Sequence, residues 1–279
     1  MGGFADMTPE DREEYKSLLM DVDTNIDISS VILSDKNKQL IQEFIDEYKE
    51  KDTLYMYGLK PMNRLLFYGA SGTGKTFLAK ALSNKLNKTM LYVDISKSLT
   101  DSSAAKSVSD IFYLANKYKN CIIFLDECDS IAWSRDSKRS DGGDIRRVTN
   151  SIFQQLDQMD PDVIFISCTN MMKRLDPAFA RRFDLKMEFR KPDKPIRYIA
   201  EKFLHSPFKL ELDATQQDEQ LVAKRSNLSY YEYQIIVERC MKKAILKNHT
   251  TDVKLSDVIR DIKIQIGTTH ITDIAEDDT

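Results

Sequence analysis

Leu65-Leu66-Phe67-Tyr68-Gly69-Ala70-Ser71-Gly72-Thr73-Gly74-Lys75-Thr76-Phe77-Leu78-Ala79-Lys80-Ala81-Leu82 decides the fold of this chain. The first four residues predict a buried strand. Gly69 to Thr76 has the full G-x-x-x-x-G-K-[ST] form, and Phe77 to Leu82 continues as a helix. Strand, glycine loop and helix form the context in which this pattern cradles a nucleotide's phosphates. The glycines let successive backbone N–H groups turn inward, helped by the helix N-terminus, and side chains there would obstruct the approach. The expected nucleotide-binding set is Gly69, Ala70, Ser71, Gly72, Thr73, Gly74, Lys75, Thr76 and Phe77. Lys75 is expected to reach the β- and γ-phosphates. The Thr76 hydroxyl is expected to serve Mg²⁺, a cation that prefers oxygen ligands.

Further strands are predicted at Met90-Leu91-Tyr92-Val93, at Cys121-Ile122-Ile123-Phe124-Leu125 and at Val163-Ile164-Phe165-Ile166-Ser167. They are continuously apolar rather than alternating, as expected of strands covered by helices on both faces. A helix over 36–51 is predicted from the spacing of Leu40, Ile41, Phe44, Ile45 and Tyr48, and another over 104–118. The fold class is α/β, a phosphate-loop nucleotide-binding core with a mostly parallel sheet between helices. Beyond Pro192 and Pro195 the pattern turns helical to about Gly267, and Tyr233, Ile236, Val237, Cys240, Ala244 and Ile245 are expected to line one side of a helix.

The expected organisation is a short polar N-terminal segment (1–26), the α/β core (27–192), a small all-helical domain beside the nucleotide edge (193–267) and a loose acidic tail (268–279). The first segment has an amphipathic stretch around Tyr15, Leu18 and Leu19. It is too short for a recognition domain, so target choice is expected to come from a separately encoded partner.

The 279 residues carry 41 Lys plus Arg against 44 Asp plus Glu, so no global field recruits a polyanion and direct nucleic-acid binding is not indicated. No signal peptide and no apolar run long enough to span a bilayer is evident, which predicts a cytoplasmic chain without membrane attachment. Cys121, Cys128, Cys168 and Cys240 lack paired metal-ligand spacing, as expected in a reducing compartment with no structural zinc.

Asp126 and Glu127 directly follow a buried strand, at the edge where a doubly wound sheet presents ligands. Asp126 is expected to hold Mg²⁺ through water, and Glu127 to polarise the water that attacks the γ-phosphoryl group. Asn170 ends a further strand in Cys168-Thr169-Asn170. Its neutral amide can donate to the γ-phosphate or to the attacking water without becoming a competing base. Arg181 and Arg182 follow Leu175-Asp176-Pro177-Ala178-Phe179-Ala180. Their fixed charge suits developing phosphoryl charge. Surface ion pairing is the alternative.

The order of these motifs resembles the AAA+ ATPases, and within them the AAA group of ring-forming, substrate-remodelling ATPases. Gly69 to Thr76 is similar to the family's Walker A segment and Ile122 to Asp129 to its Walker B segment. The stretch Cys168 to Asp184 resembles the second region of homology. The likeness runs from about Ile26 to Ile266. It implies that Asn170 senses the γ-phosphate and that Arg181 and Arg182 are arginine fingers reaching the adjacent protomer's site. Asp144 to Asp157 resembles the helix where the family keeps arginines near the subunit boundary. Ile28 to Leu33 resembles the strand-like lead-in that cradles adenine, which adds Val31 and Ile32 to the expected site and implies ATP as the nucleotide.

Departures from the family pattern shape the mechanism. Members usually place two residues, commonly Pro-Gly, between the two arginines, whereas Arg181 and Arg182 are adjacent, and either could be the one that contacts phosphate. Leu99-Thr100-Asp101-Ser102-Ser103 lacks the aromatic of a threading pore loop. The polar loop Ser134 to Gly143, with Trp133 beside it, would approach the ring channel. Leu228-Ser229-Tyr230-Tyr231-Glu232 has no arginine at the start of the lid helix, as in the AAA group. The resemblance implies a Mg²⁺-dependent ATPase working as a ring, a hexamer, that remodels a protein partner. The alternatives are an ATP-driven remodeller of DNA or DNA-bound complexes and a slowly hydrolysing, nucleotide-gated scaffold for an effector.

Overall fold

The computed structural model describes residues 7–14, 19–20, 23–93, 104–128, 142–225 and 227–276. Leu99 to Ser103, Asp129, Trp133 and residues 134–141 lie outside that set, as do Tyr15 and Leu18. The chain forms two compact units, Met1–Gly69 with Lys75–Phe189, and Ala70–Gly74 with Arg190–Thr279.

The first unit is built on six strands, Leu19–Met20 (β1), Arg64–Gly69 (β2), Thr89–Val93 (β3), Cys121–Leu125 (β4), Ile164–Thr169 (β5) and Leu185–Phe189 (β6). Their order across the sheet is β1-β3-β4-β5-β2-β6. All neighbours run parallel except β1, which pairs antiparallel with β3. Its described helices are Pro9–Glu14 (α1), Asp35–Lys49 (α2), Lys51–Met56 (α3), Lys75–Lys85 (α4), Ala104–Tyr118 (α5), Gly142–Gln158 (α6) and Pro177–Ala180 (α7).

Alternate residues of the central strands serve two helix layers. Ile123, Leu125 and Phe165 pack with Ile111, Phe112 and Leu114 of α5 and Ile152 and Leu156 of α6. Ile122, Phe124, Ile164 and Ile166 pack with Ile41, Phe44 and Ile45 of α2 and Leu78, Ala79 and Leu82 of α4. Every residue of β4 and β5 is buried, which explains their unbroken apolar or small composition. Each fully buried large side chain contributes on the order of 1.5–3 kcal/mol. α2 starts at a Ser34 cap, whose hydroxyl accepts the Asn37 N–H, so the helix begins one residue before the predicted start.

Two strands of this sheet went unpredicted. Leu185, Met187 and Phe189 of β6 are buried while Lys186 and Glu188 are exposed, the alternation of an edge strand rather than a continuous apolar run. β1 has two residues, too few to give a period. The N-terminal residues nonetheless pack onto the core: Met7 is buried, Lys117 Nζ lies 2.7 Å from Asp11 Oδ2, and the Thr8 N–H donates to the Tyr118 hydroxyl.

The second unit contains helices Pro195–Leu204 (α8), Gln216–Arg225 (α9), Tyr230–Asn248 (α10) and Leu255–Glu276 (α11), with short strands Lys209–Glu211 (β7) and Asp252–Lys254 (β8). The helical unit therefore also holds a parallel two-stranded pair, in which Leu210 aligns with Val253. Its three-residue strands are flanked by exposed charged side chains and carry no apolar run. On α10, Tyr233, Ile236, Val237, Cys240 and Ala244 are buried, but Ile245 is 48% exposed, contrary to expectation. At 3.6 residues per turn, position 245 has rotated off the stripe that Tyr233 begins. α11 continues past Gly267 to Glu276, so Ala275 and Glu276, expected in a loose tail, are helical.

Candidate functional site

The carboxyl ends of β2, β4 and β5 put the polar residues together. Gly69 closes β2 at φ +142°, and a Cβ there would lie 1.9 Å from the Phe189 carbonyl oxygen of β6. Glycine is thus required by the sheet itself, whatever binds beyond it. Lys75 opens α4 and is 7% exposed. Its ammonium donates to the Gly69 carbonyl at 2.7 Å and to Asn170 Oδ1 at 2.8 Å, which joins the ends of β2 and β5.

The Thr76 hydroxyl donates to Asp126 Oδ2 at 3.0 Å, and the Glu127 N–H donates to Asp126 Oδ1 at the same distance. Glu127 is exposed and sits at φ +51°. That left-handed backbone costs a non-glycine residue about 1 kcal/mol. It comes two residues after the end of β4. Asn170, directly after β5, is exposed. The structure thus brings Lys75, Thr76, Asp126 and Asn170 within hydrogen-bond reach of one another in two pairs, with Glu127 next in chain.

Residues 70–74 of the glycine loop belong to the second unit. The Thr73 hydroxyl donates to the Ala70 carbonyl at 2.7 Å, closing the loop on itself. Gly72, at φ +70°, accepts the Tyr231 N–H at 3.1 Å, and a Cβ there would lie 2.7 Å from Ser229 Oγ. Ser229 and Glu232 form the capping box that starts α10. The contact between loop and capping box was missed in the sequence, although Ser-x-x-Glu is its readable half.

Ile28–Ser30 forms a 3₁₀ turn rather than a strand, capped by Asp27. Val31 is buried against the α2 and α4 side of the core and Ile32 is half-buried. Phe77 is exposed at the start of α4.

The two adjacent arginines have different surroundings. Arg182 makes a two-point contact with Asp157 at 3.1 Å, donates to the Ala178 carbonyl at 3.0 Å and lies 4.3 Å from the Phe153 ring centroid. Asp157 and Phe153 are both on α6, so Arg182 fastens α7 to that helix. Arg181 is exposed, and its side chain has no ion-pair or hydrogen-bond partner among the described residues. Asp157 closes the stretch that resembles a family helix, but its pairing with Arg182 carried no signal in the sequence.

All four cysteines are free and buried. Burial pushes the Cys168 thiol, on β5, well above its ordinary range and the Cys121 thiol up to about 12. Neither offers a thiolate to a metal. Among the described residues no group of three or more His, Cys, Asp or Glu could hold an ion. What the site does offer is the Thr76 hydroxyl against the Asp126 carboxylate, a hard oxygen pair. That donor set fits Mg²⁺, which takes few protein ligands and completes its shell with water and phosphate oxygens. No described helix is long and apolar enough to cross a membrane.

Residues 65–191 match the ATPase family associated with various cellular activities (AAA). The chain is similar to a proteasome-activating nucleotidase of Methanococcus maripaludis, 35% identical over 197 residues, covering 66% of this chain and 48% of that protein. It is also similar to the 26S proteasome regulatory subunit 6B homolog of Encephalitozoon cuniculi, 34% identical over 203 residues, 70% of this chain and 52% of that one. An uncharacterized AAA family ATPase of Sinorhizobium fredii is 30% identical over 183 residues, 64% and 55% of the two chains. The chain spans about half the length of the curated relatives it matches.

Proposed function

The chain belongs to the AAA family of ATPases, and from that premise we propose that it binds ATP with Mg²⁺ at Gly69 to Thr76, hydrolyses it, and uses the cycle to remodel a protein partner within a ring of identical subunits, a hexamer. The observation that carries this reading is the convergence of Lys75, Thr76, Asp126, Glu127 and Asn170 on one edge of a parallel sheet. Relatives named for activating or regulating the proteasome support a protein partner. The near-neutral charge of the chain disfavours DNA. Free, buried cysteines agree with a reducing cytoplasmic location.

Each residue then has a task. Lys75 leaves the Gly69 carbonyl and the Asn170 amide to meet the β- and γ-phosphates. The same movement frees Asn170 to orient the attacking water or the γ-phosphate. Thr76 and Asp126 would hold Mg²⁺, which supplies charge neutralisation at the phosphates. Glu127 accepts the water's proton as the general base. Half-buried Ile32 offers apolar surface for adenine, Val31 beside it in the chain is buried in the core, and Phe77 follows the phosphate loop on α4. The left-handed backbone at Glu127 is a strain kept where the base must diverge from Asp126.

The arginine pair separates into two roles. Arg182 has its guanidinium engaged by Asp157 and Ala178 and braces the protomer. Arg181 is the guanidinium free to reach a neighbouring subunit's nucleotide. The test is ATP turnover per subunit against protein concentration. Wild-type turnover should climb as subunits associate. Arg181→Ala should bind nucleotide normally and lose roughly a thousandfold in turnover. Arg182→Ala should lower stability by about 1–2 kcal/mol. Full turnover by a strictly monomeric sample would reject the shared site.

A further inference from the structure

Tyr92 lies on β3, in register with Phe124 of β4, and the two rings meet at 5.2 Å with a 56° tilt. Asp126 is two residues beyond Phe124, on the same face. A long side chain on one strand reaches the diagonal position of its neighbour. The phenol therefore arrives at the carboxylate, and its O–H donates to Asp126 Oδ2 at 3.1 Å. That oxygen also accepts the Thr76 hydroxyl, and Oδ1 accepts the Glu127 N–H. Three donors from three segments thus set the plane of one carboxylate. Tyr92 itself is held on both sides, because β3 pairs with β4 along one edge and with β1 along the other, where Met20 is its register partner.

We infer that Tyr92 is a positioning residue for the magnesium site: its hydroxyl orients Asp126 so that the carboxylate and Thr76 face the cation together. This rests on the ATPase reading above. A ligating carboxylate is tuned by its own hydrogen-bond partners, and losing one such partner typically weakens metal binding about 10–100-fold. In this role Tyr92 acts through Asp126.

The test is Tyr92→Phe, which keeps the ring against Phe124 and removes the hydroxyl. Binding of a fluorescent ATP analogue is titrated twice, once in EDTA and once against rising Mg²⁺, with ATP turnover and thermal midpoint measured alongside. The expected result is unchanged affinity in EDTA and roughly tenfold more Mg²⁺ needed to reach half of the magnesium effect. Turnover at saturating Mg²⁺ should be little changed. Asp126→Asn sets the floor, having lost the carboxylate that Tyr92 serves. Identical magnesium curves for the variant and the wild type overturn the inference. So does an equal loss of affinity with and without magnesium, which would mark Tyr92 as packing alone. A wild-type chain whose nucleotide binding ignores magnesium overturns the ATPase reading as well, so the two failures are distinguishable.

Discussion

The two ends of the same parallel sheet treat polar groups in opposite ways. At the amino-terminal edge the chain closes on itself. Lys88, 2% exposed, donates to the carbonyls of Lys119 and Asp162, and its ammonium lies 5.1 Å from the Tyr48 ring. The Asn63 amide donates to the Val163 carbonyl, and Asp184 Oδ2 accepts the N–H groups of both Asn63 and Arg64. These contacts tie the starts of β2, β3 and β5 and the turn before β4. At the carboxyl-terminal edge, Glu127 and Asn170 are exposed, Glu127 holds a strained backbone, and Lys75 donates to the Gly69 carbonyl and to Asn170 Oδ1. One edge uses its polar groups to fix the sheet, and the other carries the residues proposed above to meet a ligand. Both are built from the same strands, so activity and stability should respond to different substitutions in one unit.

The largest expected effect tests the open edge. Glu127→Gln should lower ATP turnover roughly a thousandfold, from loss of the general base, while the thermal midpoint and nucleotide affinity stay at wild-type values. A large drop in thermal midpoint would erase the contrast between the edges.

The next tests the closed edge. Desolvation lowers the Lys88 pKa to about 8. Below that pH the amine is protonated in both folded and unfolded chains and contributes no slope. Between there and about pH 10.4 the unfolded chain holds a proton that the folded one has released, so stability rises with pH by up to about 3 kcal/mol. Lys88→Met removes this gain. Urea denaturation of both proteins at about pH 7.5 and about pH 10 should show the wild type gaining on the variant. Parallel stabilities would mean that the amine is not desolvated. Nucleotide affinity should be the same in both at neutral pH.

The smallest effect joins the two edges in one residue. Glu127→Gly relieves the left-handed backbone and should stabilise the fold by about 1 kcal/mol while abolishing turnover. Chemical denaturation checks the gain, and a loss of stability would show that the Glu127 side chain serves the fold rather than the reaction.

Much of this was legible in the residues. Continuous apolar runs reveal β2 to β5 because strands covered on both faces have no polar side. The glycine loop, the acids after β4 and Asn170 after β5 stand in the sequence at places where a parallel sheet turns outward. β6 was not legible, because an alternating edge strand resembles exposed loop. Ile245 was misassigned because it lies roughly 120° round the helix from Tyr233, while its neighbour Ala244 stays on the buried stripe.

The linear sequence by itself determined the α/β core, its phosphate loop and which residue types could meet a nucleotide, since those follow from local periodicity and from motifs contiguous in the chain. Only the tertiary structure decided that Arg182 is the arginine engaged within the described residues, because Asp157 lies 25 residues away and comes within reach through the packing of α6. The same holds for Tyr92 on Asp126 and for Lys88 on two distant carbonyls. Hydrogen bonds between strands and helices depend on register and packing, which no short stretch of residues encodes.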